Sequence, residues 1–214
     1  MSPGVRPLVL LGAGGHARVL VALARAAGYM ILGVCDPALA AKGMTRWESL
    51  DVLGDDRALE GLDPRRVELM LGVGQLTTSK VREQLYASWR ARGYAFPPLV
   101  HPAAWIAPGV LLSDGVQVMA GAVIQPGCEI GDNSIVNTRV SIDHDCRIGR
   151  GVHVAPGATL CGSVTVEDGA FIGAGSTVIQ GVRVGKRAVV GAGVTLVGDL
   201  SPSATIIGAA NRLR

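Results

Sequence analysis

The second half of the chain repeats one aliphatic residue every six positions. The series begins at Ile106 and continues without a gap to Leu196, and Pro202 occupies the next position. Its sixteen members are Ile106, Leu112, Val118, Ile124, Ile130, Val136, Ile142, Ile148, Val154, Leu160, Val166, Ile172, Val178, Val184, Val190 and Leu196. A second small or aliphatic residue follows each member after four positions, from Val110 to Leu200. A helix cannot keep a period of six on one face, and simple alternating strands would not place turns so regularly. The pattern therefore predicts short strands joined by regular turns.

The residues between the two series indicate the kind of turn. The turn position is Gly in ten of the sixteen hexads, and it follows Pro at 108, 126 and 156. A Pro-Gly pair is typical of a type II turn, whose second central residue needs a positive φ. Three hexads would close one triangular coil. We expect residues 100 to 205 to form about five coils, with all sixteen members of the series pointing inward.

This run resembles the hexapeptide-repeat left-handed parallel β-helix over roughly residues 100 to 208. The left hand comes from the resemblance, since crossovers between parallel strands are otherwise right-handed. The coil period would stack Cys128 on Cys146 in inward positions, where cysteine behaves as a small apolar residue. Because the four cysteines show no CxxC or zinc-type spacing, we expect free thiols.

Three consecutive turn positions depart from glycine: Asn133, Arg139 and Asp145. Asn and Asp tolerate left-handed backbone geometry, while Arg there implies strain or a different turn. The same coil contains His144, next to Asp145 at a corner. A histidine beside a carboxylate is typical of a general base held in one tautomer, and Asp143 competes with Asp145 for the carboxylate role. A solvated turn histidine is the alternative, but departures from a strict repeat favour a functional position.

The other histidine of this region, His153, ends its hexad half a coil from His144. The two side chains therefore cannot meet at one corner of one subunit. Their cooperation would need a cleft between subunits or a bound ligand, which favours an oligomer with shared sites.

Residues 1 to about 98 follow a different pattern of strand, glycine-rich turn, amphipathic helix and strand. A second apolar run at 67–74 precedes an expected helix from Thr77 to Arg92. Parallel strands with crossover helices follow from this order. We expect an α/β Rossmann-like half domain at 1–98 and a left-handed β-helix domain at 99–214.

The glycine-rich turn satisfies G-x-G-x-x-A at Gly12, Gly14 and Ala17, and Asp36 ends the next strand. In such a turn, N–H groups at a helix N-terminus bind phosphate and the acid binds ribose. NAD is one interpretation, but fewer than 100 residues make only half of a doubly wound domain. A nucleotide sugar offers the same phosphates and needs only that half. The alternative is a tight turn without a ligand, in which His16 caps the helix.

Composition narrows the class of protein. Apolar residues make up 49% and charged residues 17%, which argues against disorder. The formal charge of +3 is weak and its basic residues are scattered, so nucleic acid is not an expected partner. No stretch approaches 18 apolar residues without a charge, and the start lacks the apolar region of a signal peptide. We expect a cytoplasmic protein without membrane insertion and, from the missing ligand spacing, without a metal.

The two domains together resemble one family of bacterial sugar acyltransferases. It includes the bacillosamine-pathway UDP-amino-sugar N-acetyltransferase, the perosamine N-acetyltransferase and sialic-acid O-acetyltransferases. The motifs of the resemblance are GAGGHA (12–17), CDP (35–37), VHP (100–102), NTRVSIDHDCRIG (137–149), HVAPGA (153–158) and LCG (160–162).

The resemblance implies roles for several residues of these motifs. His144 would be the general base and Asp145 its carboxylate partner, while Asn137 would line the sugar site. His153 would bind the acetyl end of acetyl-CoA, and the N–H of Gly162 would hold the CoA arm. Contacts to the nucleotide would come from Gly12, Gly14, Gly15, His16 and Asp36. The family also implies a homotrimer with sites between neighbouring β-helices.

The expected activity is transfer of an acetyl group from acetyl-CoA to the amine of a nucleotide-linked amino-deoxy sugar. The alternative enzymatic activity is O-acetylation of sialic acid or another sugar. The alternative without enzymatic activity is a scaffold that binds a nucleotide sugar. Arg183, Lys186 and Arg187 would meet CoA phosphates or form a solvated basic face.

Overall fold

The computed structural model describes residues 6–75 and 77–208. The chain forms two compact units, and the boundary between them falls between His101 and Pro102.

The first unit contains an open sheet and its helices. The helices are α1 (Gly15–Ala26), α2 (Pro37–Ala41) and α3 (Val81–Ala91), with a 3₁₀ helix at Asp56–Gly61. The strands are β1 (Leu8–Leu11), β2 (Ile31–Cys35), β3 (Arg46–Trp47), β4 (Leu50–Gly54), β5 (Glu68–Leu71) and β6 (Leu99–Val100).

The sheet has the order β3-β4-β2-β1-β5, and every pairing is parallel except that of β3 with β4. All four residues of β1 are fully buried. Such continuous apolar runs are typical of parallel strands covered on both faces. This arrangement places the glycine-rich turn after β1 and Asp36 after β2 at the same edge of the sheet.

Two details of the first unit differ from expectation. Helix α3 begins at Val81 and ends at Ala91, whereas the sequence predicts a helix starting at Thr77. Thr77 lies in a turn, and the Ser79 hydroxyl accepts a hydrogen bond from the Val81 N–H at 3.3 Å. Hydroxyl side chains compete with helical hydrogen bonds and favour helix starts, which explains the later beginning. The pattern also did not predict α2, β3, β4 or the 3₁₀ helix.

The second unit is a parallel β-helix of two-residue strands. In chain order they are β7 (Trp105–Ile106), β8 (Leu111–Leu112), β9 (Gln117–Val118), β10 (Val123–Ile124), β11 (Glu129–Ile130), β12 (Ile135–Val136), β13 (Ser141–Ile142), β14 (Arg147–Ile148), β15 (His153–Val154), β16 (Thr159–Leu160), β17 (Thr165–Val166), β18 (Phe171–Ile172), β19 (Thr177–Val178), β20 (Arg183–Val184), β21 (Val189–Val190), β22 (Thr195–Leu196) and β23 (Thr205–Ile206).

These strands form three parallel faces. Face 1 contains β7, β10, β13, β16, β19 and β22, face 2 contains β8, β11, β14, β17 and β20, and face 3 contains β9, β12, β15, β18, β21 and β23. From β7 to β22, paired residues are 18 positions apart, as Ile142 and Leu160 are, whereas in the last strand Thr205 pairs with Val189. A side chain at one corner therefore stacks on the residue 18 positions before or after it.

The aliphatic series lines the inside of the coils. Its fourteen members from Val118 to Leu196 are no more than 4% exposed. Ile106 and Leu112 are only half-buried, because they lie in the first coil, at one end of the stack. The turns keep their geometry where glycine is missing, since φ is +58° at Asn133, +57° at Arg139 and +59° at Asp145. Arg139 therefore adopts the strained left-handed conformation and not a different turn.

Candidate active site

His144 and Asp145 form a hydrogen-bonded pair at the corner between faces 1 and 2. The corner joins β13 to β14, and the Nδ1 of His144 lies 2.9 Å from Oδ2 of Asp145. The side chains are 59% and 67% exposed, so the pair is open to a ligand. Because a carboxylate only accepts, the neutral ring carries its proton on Nδ1 and keeps the lone pair on Nε2.

The conformation of the left-handed turn determines which carboxylate is hydrogen-bonded to the imidazole of His144. The Oδ1 of Asp143 accepts a hydrogen bond from the backbone N–H of His144 at 2.8 Å, so this carboxylate caps the turn. The carboxylate of Asp145, whose φ is +59°, faces the ring instead. Of the two candidates, Asp145 is the partner of the imidazole.

The electrostatics of the corner favour the protonated imidazole. The hydrogen bond that Nδ1 of His144 donates to Asp145 raises the pKa of His144 above its ordinary value of 6.5, and the charge of Asp143 raises it further. A higher pKa makes Nε2 a stronger base, but a larger fraction of the side chain is then protonated at neutral pH.

Gly162 lies one coil after His144 at the same corner. A Cβ atom built on Gly162 would be 2.6 Å from both Cε1 and Nε2 of the imidazole, so the ring lies directly against this residue. None of the backbone hydrogen bonds of the described residues uses the N–H of Gly162. The equivalent turn position holds Pro108, Pro126 and Pro156 elsewhere, as expected where the N–H is not part of the ladder.

His153 lies on face 3, in contact with Asn137. The backbone N–H of Thr138 donates to Oδ1 of Asn137 at 2.8 Å, which directs the amide NH₂ of Asn137 toward Nε2 of His153 at 3.1 Å. This Nε2 therefore accepts, and the neutral ring of His153 carries its proton on Nδ1. Phe171, one coil later, packs edge-to-face on the imidazole with ring centroids 5.0 Å apart.

The structure does not bring His144 and His153 together in one chain. His144 is at the corner between faces 1 and 2, whereas His153 projects from β15 on face 3. Asn137, which the resemblance assigns to the sugar site, lies against His153 in the same chain.

The glycine-rich turn after β1 contains glycines of two kinds. Gly12 has a φ of +89°, and a Cβ there would be 2.8 Å from Cγ2 of Val73, so the fold itself requires glycine. Gly14 has an extended backbone at φ −83°, and a Cβ on Gly14 or Gly15 would meet nothing within 4 Å. Neither the backbone nor packing within the described residues explains these two glycines. They leave open space at the N-terminus of α1, which starts at Gly15 with His16 as its second residue.

The carboxylate of Asp36 already has backbone partners. Oδ2 accepts a hydrogen bond from the N–H of Ala13 in the glycine-rich turn, and Oδ1 caps α2 through the N–H groups of Ala38 and Leu39, each at 2.9 Å. Asp36 therefore fixes the shape of the turn that the sequence assigned to nucleotide binding.

Two further residues near this edge belong to none of the motifs seen in the sequence. Asp56 follows β4, and its pKa is raised by burial and by the nearby charges of Asp55 and Asp36. Arg82 is 3% exposed and donates to the carbonyls of Leu71 and Val73, at 3.1 and 2.7 Å, in the loop that packs on Gly12. Burial lowers the pKa of Arg82 to about 9. The two consecutive aspartates after β4 are visible in the sequence and could have indicated Asp56 as a candidate. The burial of Arg82 is not visible there, because an arginine within a helix pattern is usually exposed.

Among the basic residues of the later coils, Arg183 is paired with an acid. Arg183 donates to Glu167, whose other oxygen accepts the backbone N–H of Lys186 at 2.7 Å. Lys186 lines a surface cavity of about 350 Å³ together with Glu129, Glu167 and Asp168. The pairing of Arg183 with Glu167 favours a solvated charged face over a phosphate site for Arg183.

The cysteines are free thiols, as the sequence predicts. Burial raises the pKa of Cys35 and of Cys146 to about 12, which is unfavourable for a nucleophilic thiolate. Within residues 6–75 and 77–208, no group of three or more His, Cys, Asp or Glu side chains could hold a metal ion. No helix in this part of the chain is long and apolar enough to span a membrane.

Both units match known sequence families. Residues 7–88 match the PglD N-terminal domain, residues 109–144 and 127–162 match the bacterial transferase hexapeptide, and residues 163–197 match the hexapeptide repeat of succinyl-transferase. No curated protein sequence matches the chain.

Several solved structures are similar over almost the whole chain. The acetyltransferase domain of PglB from Neisseria gonorrhoeae, in complex with acetyl coenzyme A, is 33% identical, with a TM-score of 0.87 over 96% of this chain and 97% of that one. PerB from Caulobacter crescentus, in complex with CoA and GDP-perosamine, is 35% identical, with a TM-score of 0.86 over 96% and 95%. WeeI from Acinetobacter baumannii shares the fold at 22% identity, with a TM-score of 0.84 over 95% and 97%.

These similarities define the class of protein as an acyltransferase with a left-handed hexapeptide-repeat β-helix. Within that class, the chain belongs to the bacterial sugar acyltransferases with a PglD-type N-terminal domain. The family and the fold class predicted from the sequence are confirmed.

Proposed function

We propose that this protein transfers the acetyl group of acetyl-CoA to the amine of a nucleotide-linked amino-deoxy sugar, with His144 as the general base. The observation that carries the proposal is the His144–Asp145 pair, whose ring is held through Nδ1 and keeps the Nε2 lone pair. The relatives support both substrates, since one was solved with acetyl coenzyme A and another with CoA and GDP-perosamine.

The reaction needs one base that later acts as an acid. The neutral sugar amine attacks the thioester carbon, a C–N bond forms, and the carbonyl oxygen becomes an oxyanion. Nε2 of His144 takes the proton that the nitrogen must lose. The C–S bond then breaks, the thiolate of CoA takes that proton from the imidazolium, and the products are the N-acetyl sugar and CoA thiol. Between these two proton transfers, Asp145 stabilises the imidazolium by accepting the hydrogen bond from Nδ1.

We assign two N–H groups to the developing oxyanion and the donor arm. The N–H of Gly162 is outside the backbone ladder, next to the imidazole of His144. His153 donates only through Nδ1 while its ring is neutral, because its Nε2 accepts from Asn137. Backbone and imidazole N–H groups aimed at developing negative charge are a major source of catalysis in acyl transfer.

The nucleotide part of the acceptor would bind at the carboxyl edge of the sheet in the first unit. The open space at Gly14 and Gly15 admits a phosphate close to the N-terminus of α1, and His16 is within the same turn. Asp36 supports this site by accepting a hydrogen bond from the N–H of Ala13, which fixes the turn.

The active enzyme would be a homotrimer with sites shared between subunits. His144 and His153 lie on different sides of the triangular coil, so one ligand can reach both only if a neighbouring β-helix supplies the second histidine. Closed symmetric assembly repeats that contact in each interface. A cytoplasmic location accords with this proposal, because acetyl-CoA and nucleotide sugars are cytoplasmic metabolites.

A thiol-release assay with acetyl-CoA tests the proposal. The acceptor panel contains UDP-, GDP- and dTDP-linked amino sugars, with the matching hydroxyl sugars and free sialic acid as comparisons. We expect CoA release that depends on the amine of a nucleotide-linked sugar. Release with sialic acid or another hydroxyl acceptor alone would make the protein an O-acetyltransferase, and calorimetric binding of an acceptor without release would make it a scaffold. Micromolar binding of NADH would support the dinucleotide interpretation of the turn.

A further inference from the structure

Gly162 occupies a turn position that the repeat does not reserve for glycine. The same place recurs in sixteen hexads, from Pro108 to Gly198, and it holds Pro, Ala, Asp, Thr, His, Arg, Gln or Lys in all of them except Gly162 and Gly198. The backbone of Gly162 is also outside the left-handed region, which is where a side chain would be strained. Neither the turn nor the backbone therefore explains glycine at 162.

The imidazole of His144 explains it. Residue 162 stacks on residue 144 because one coil contains 18 residues, as in the pairing of Ser141 with Thr159. A Cβ at Gly162 would be 2.6 Å from Cε1 and Nε2 of His144 and 3.2 Å from Cδ2, far inside van der Waals contact. The ring thus occupies the space in which every other residue type would place its Cβ.

The carboxylate of the pair has a similar neighbour on the other side. A Cβ at Gly127, one coil before Asp145, would be 2.3 Å from Oδ1 of Asp145. Gly127 has a φ of +76°, so its turn needs glycine in any case. Both coils next to the pair consequently lack a side chain where the imidazole and the carboxylate lie.

We propose that Gly162 is a positioning residue for the general base: by lacking a side chain, it lets the imidazole of His144 lie against the next coil while Nδ1 stays bonded to Asp145. This inference rests on the proposed function for its catalytic consequence, but not for the geometry. It is separate from the donor role of the Gly162 N–H, because alanine would retain that N–H.

An added methyl group should move the ring without unfolding the coil. The atoms in conflict are the far end of an exposed side chain, since His144 is 59% exposed, and they can rotate into solvent. Rotation would break the alignment of Nδ1 with Oδ2 of Asp145 and carry Nε2 away from the reacting nitrogen. A displacement of about 1 Å can cost about 10²-fold in rate.

The test is Gly162→Ala with Gly198→Ala as the matched control. Gly198 has the same place in its hexad, lies outside the left-handed region, and has nothing within 4 Å of a built Cβ. NMR titration of the His144 ring without substrates reports the geometry, and steady-state kinetics in the assembled enzyme report the consequence. For Gly162→Ala we expect the pKa of His144 to fall toward its ordinary value, kcat to fall about 10²-fold and the melting temperature to hold. Gly198→Ala should change none of these.

A double-mutant cycle with His144→Ala identifies the route of the effect. If Gly162 acts through the imidazole, adding Gly162→Ala to His144→Ala should lower kcat no further. An equal fall in both backgrounds would overturn the inference, as would an unchanged His144 titration in Gly162→Ala. A lowered pKa with unchanged kcat would keep the positioning role and instead contradict His144 as the base of the proposed function.

Discussion

The imidazole of His144 has its raised pKa mainly because Asp145 accepts a hydrogen bond from its Nδ1. The sequence predicted the histidine as a candidate, but it offered a carboxylate on each side. The choice between them depends on the direction of two side chains at a left-handed turn, which the order of residues alone does not specify. Asn137 shows the same limit, because its contact with His153 arises from strands that lie 18 residues apart.

Asp145→Asn should shift the pH dependence of the reaction to lower pH. Asn tolerates the φ of +59° at this position, so the turn should persist. Loss of the carboxylate removes the largest cause of the raised pKa, and His144 then loses its proton at lower pH. The ascending limb of kcat/KM should therefore begin at lower pH, with a lower plateau because the base is weaker.

The substrate amine also titrates, but it does so identically with both enzymes, so the difference between the two profiles isolates the enzyme group. Asp143→Asn is the control for this change, since Asp143 binds the backbone N–H and not the ring. Its profile should shift less. A limb that stays in place in Asp145→Asn would show that the titrating group is not His144.

At the scale of elements, the repeat of the β-helix was predictable and the small elements of the first unit were not. The same pattern of aliphatic and turn residues occurs in sixteen consecutive hexads, so the prediction for each coil is supported by the pattern of its neighbours. Strand β3 has two residues and α2 has five, which is too short for any periodicity to emerge. The glycine-rich turn was predicted, but only the structure separates Gly12, which the turn needs, from Gly14 and Gly15, which it does not.

Gly14→Val should weaken binding of the sugar nucleotide without disturbing the fold. The extended backbone at φ −83° suits valine, and its Cβ would meet no atom of the described residues within 4 Å. The added side chain would fill the space proposed for a phosphate, so KM for the sugar nucleotide should rise about tenfold or more, equivalent to about 1.4 kcal/mol. KM for acetyl-CoA should hold.

Gly61→Val is the matched control in the same unit, because Gly61 also has open space and no left-handed φ. It should leave both KM values unchanged. Unchanged calorimetric binding of the sugar nucleotide to Gly14→Val would return the turn to a purely structural role.

At the scale of the whole molecule, the separation of His144 from His153 within one chain is the reason for the proposed homotrimer. His144 and His153 lie on different sides of one triangular coil, and in the homotrimer that we propose a neighbouring copy of the chain would supply the second histidine. The half-coil spacing in the sequence already indicated this need. The sequence does not show which faces of neighbouring β-helices would be in contact, because the outward residues have no repeat comparable to the inner series.

Mixing two impaired variants tests the proposed shared site. His144→Ala and His153→Ala each remove one histidine from every site, so each alone should be weakly active at low acetyl-CoA. In trimers that contain both variants, some interfaces combine an intact His144 with an intact His153. Random assortment would restore about one quarter of the sites. Activity of co-assembled trimers no higher than that of the parents would place each site within one chain, and a monomeric mass in light scattering with full activity would contradict the assembly itself.

The pH–rate profile of kcat/KM for wild type and His144→Ala tests the central claim most directly. Wild type should show an ascending limb above the ordinary imidazole pKa, since Asp145 and Asp143 raise the pKa of His144. His144→Ala should lose this limb and about 10²- to 10⁴-fold in rate, with little change in substrate KM. Its melting temperature should match wild type, because the side chain is an exposed turn residue. Activity of His144→Ala close to wild type at every pH would show that the corner pair is not the base.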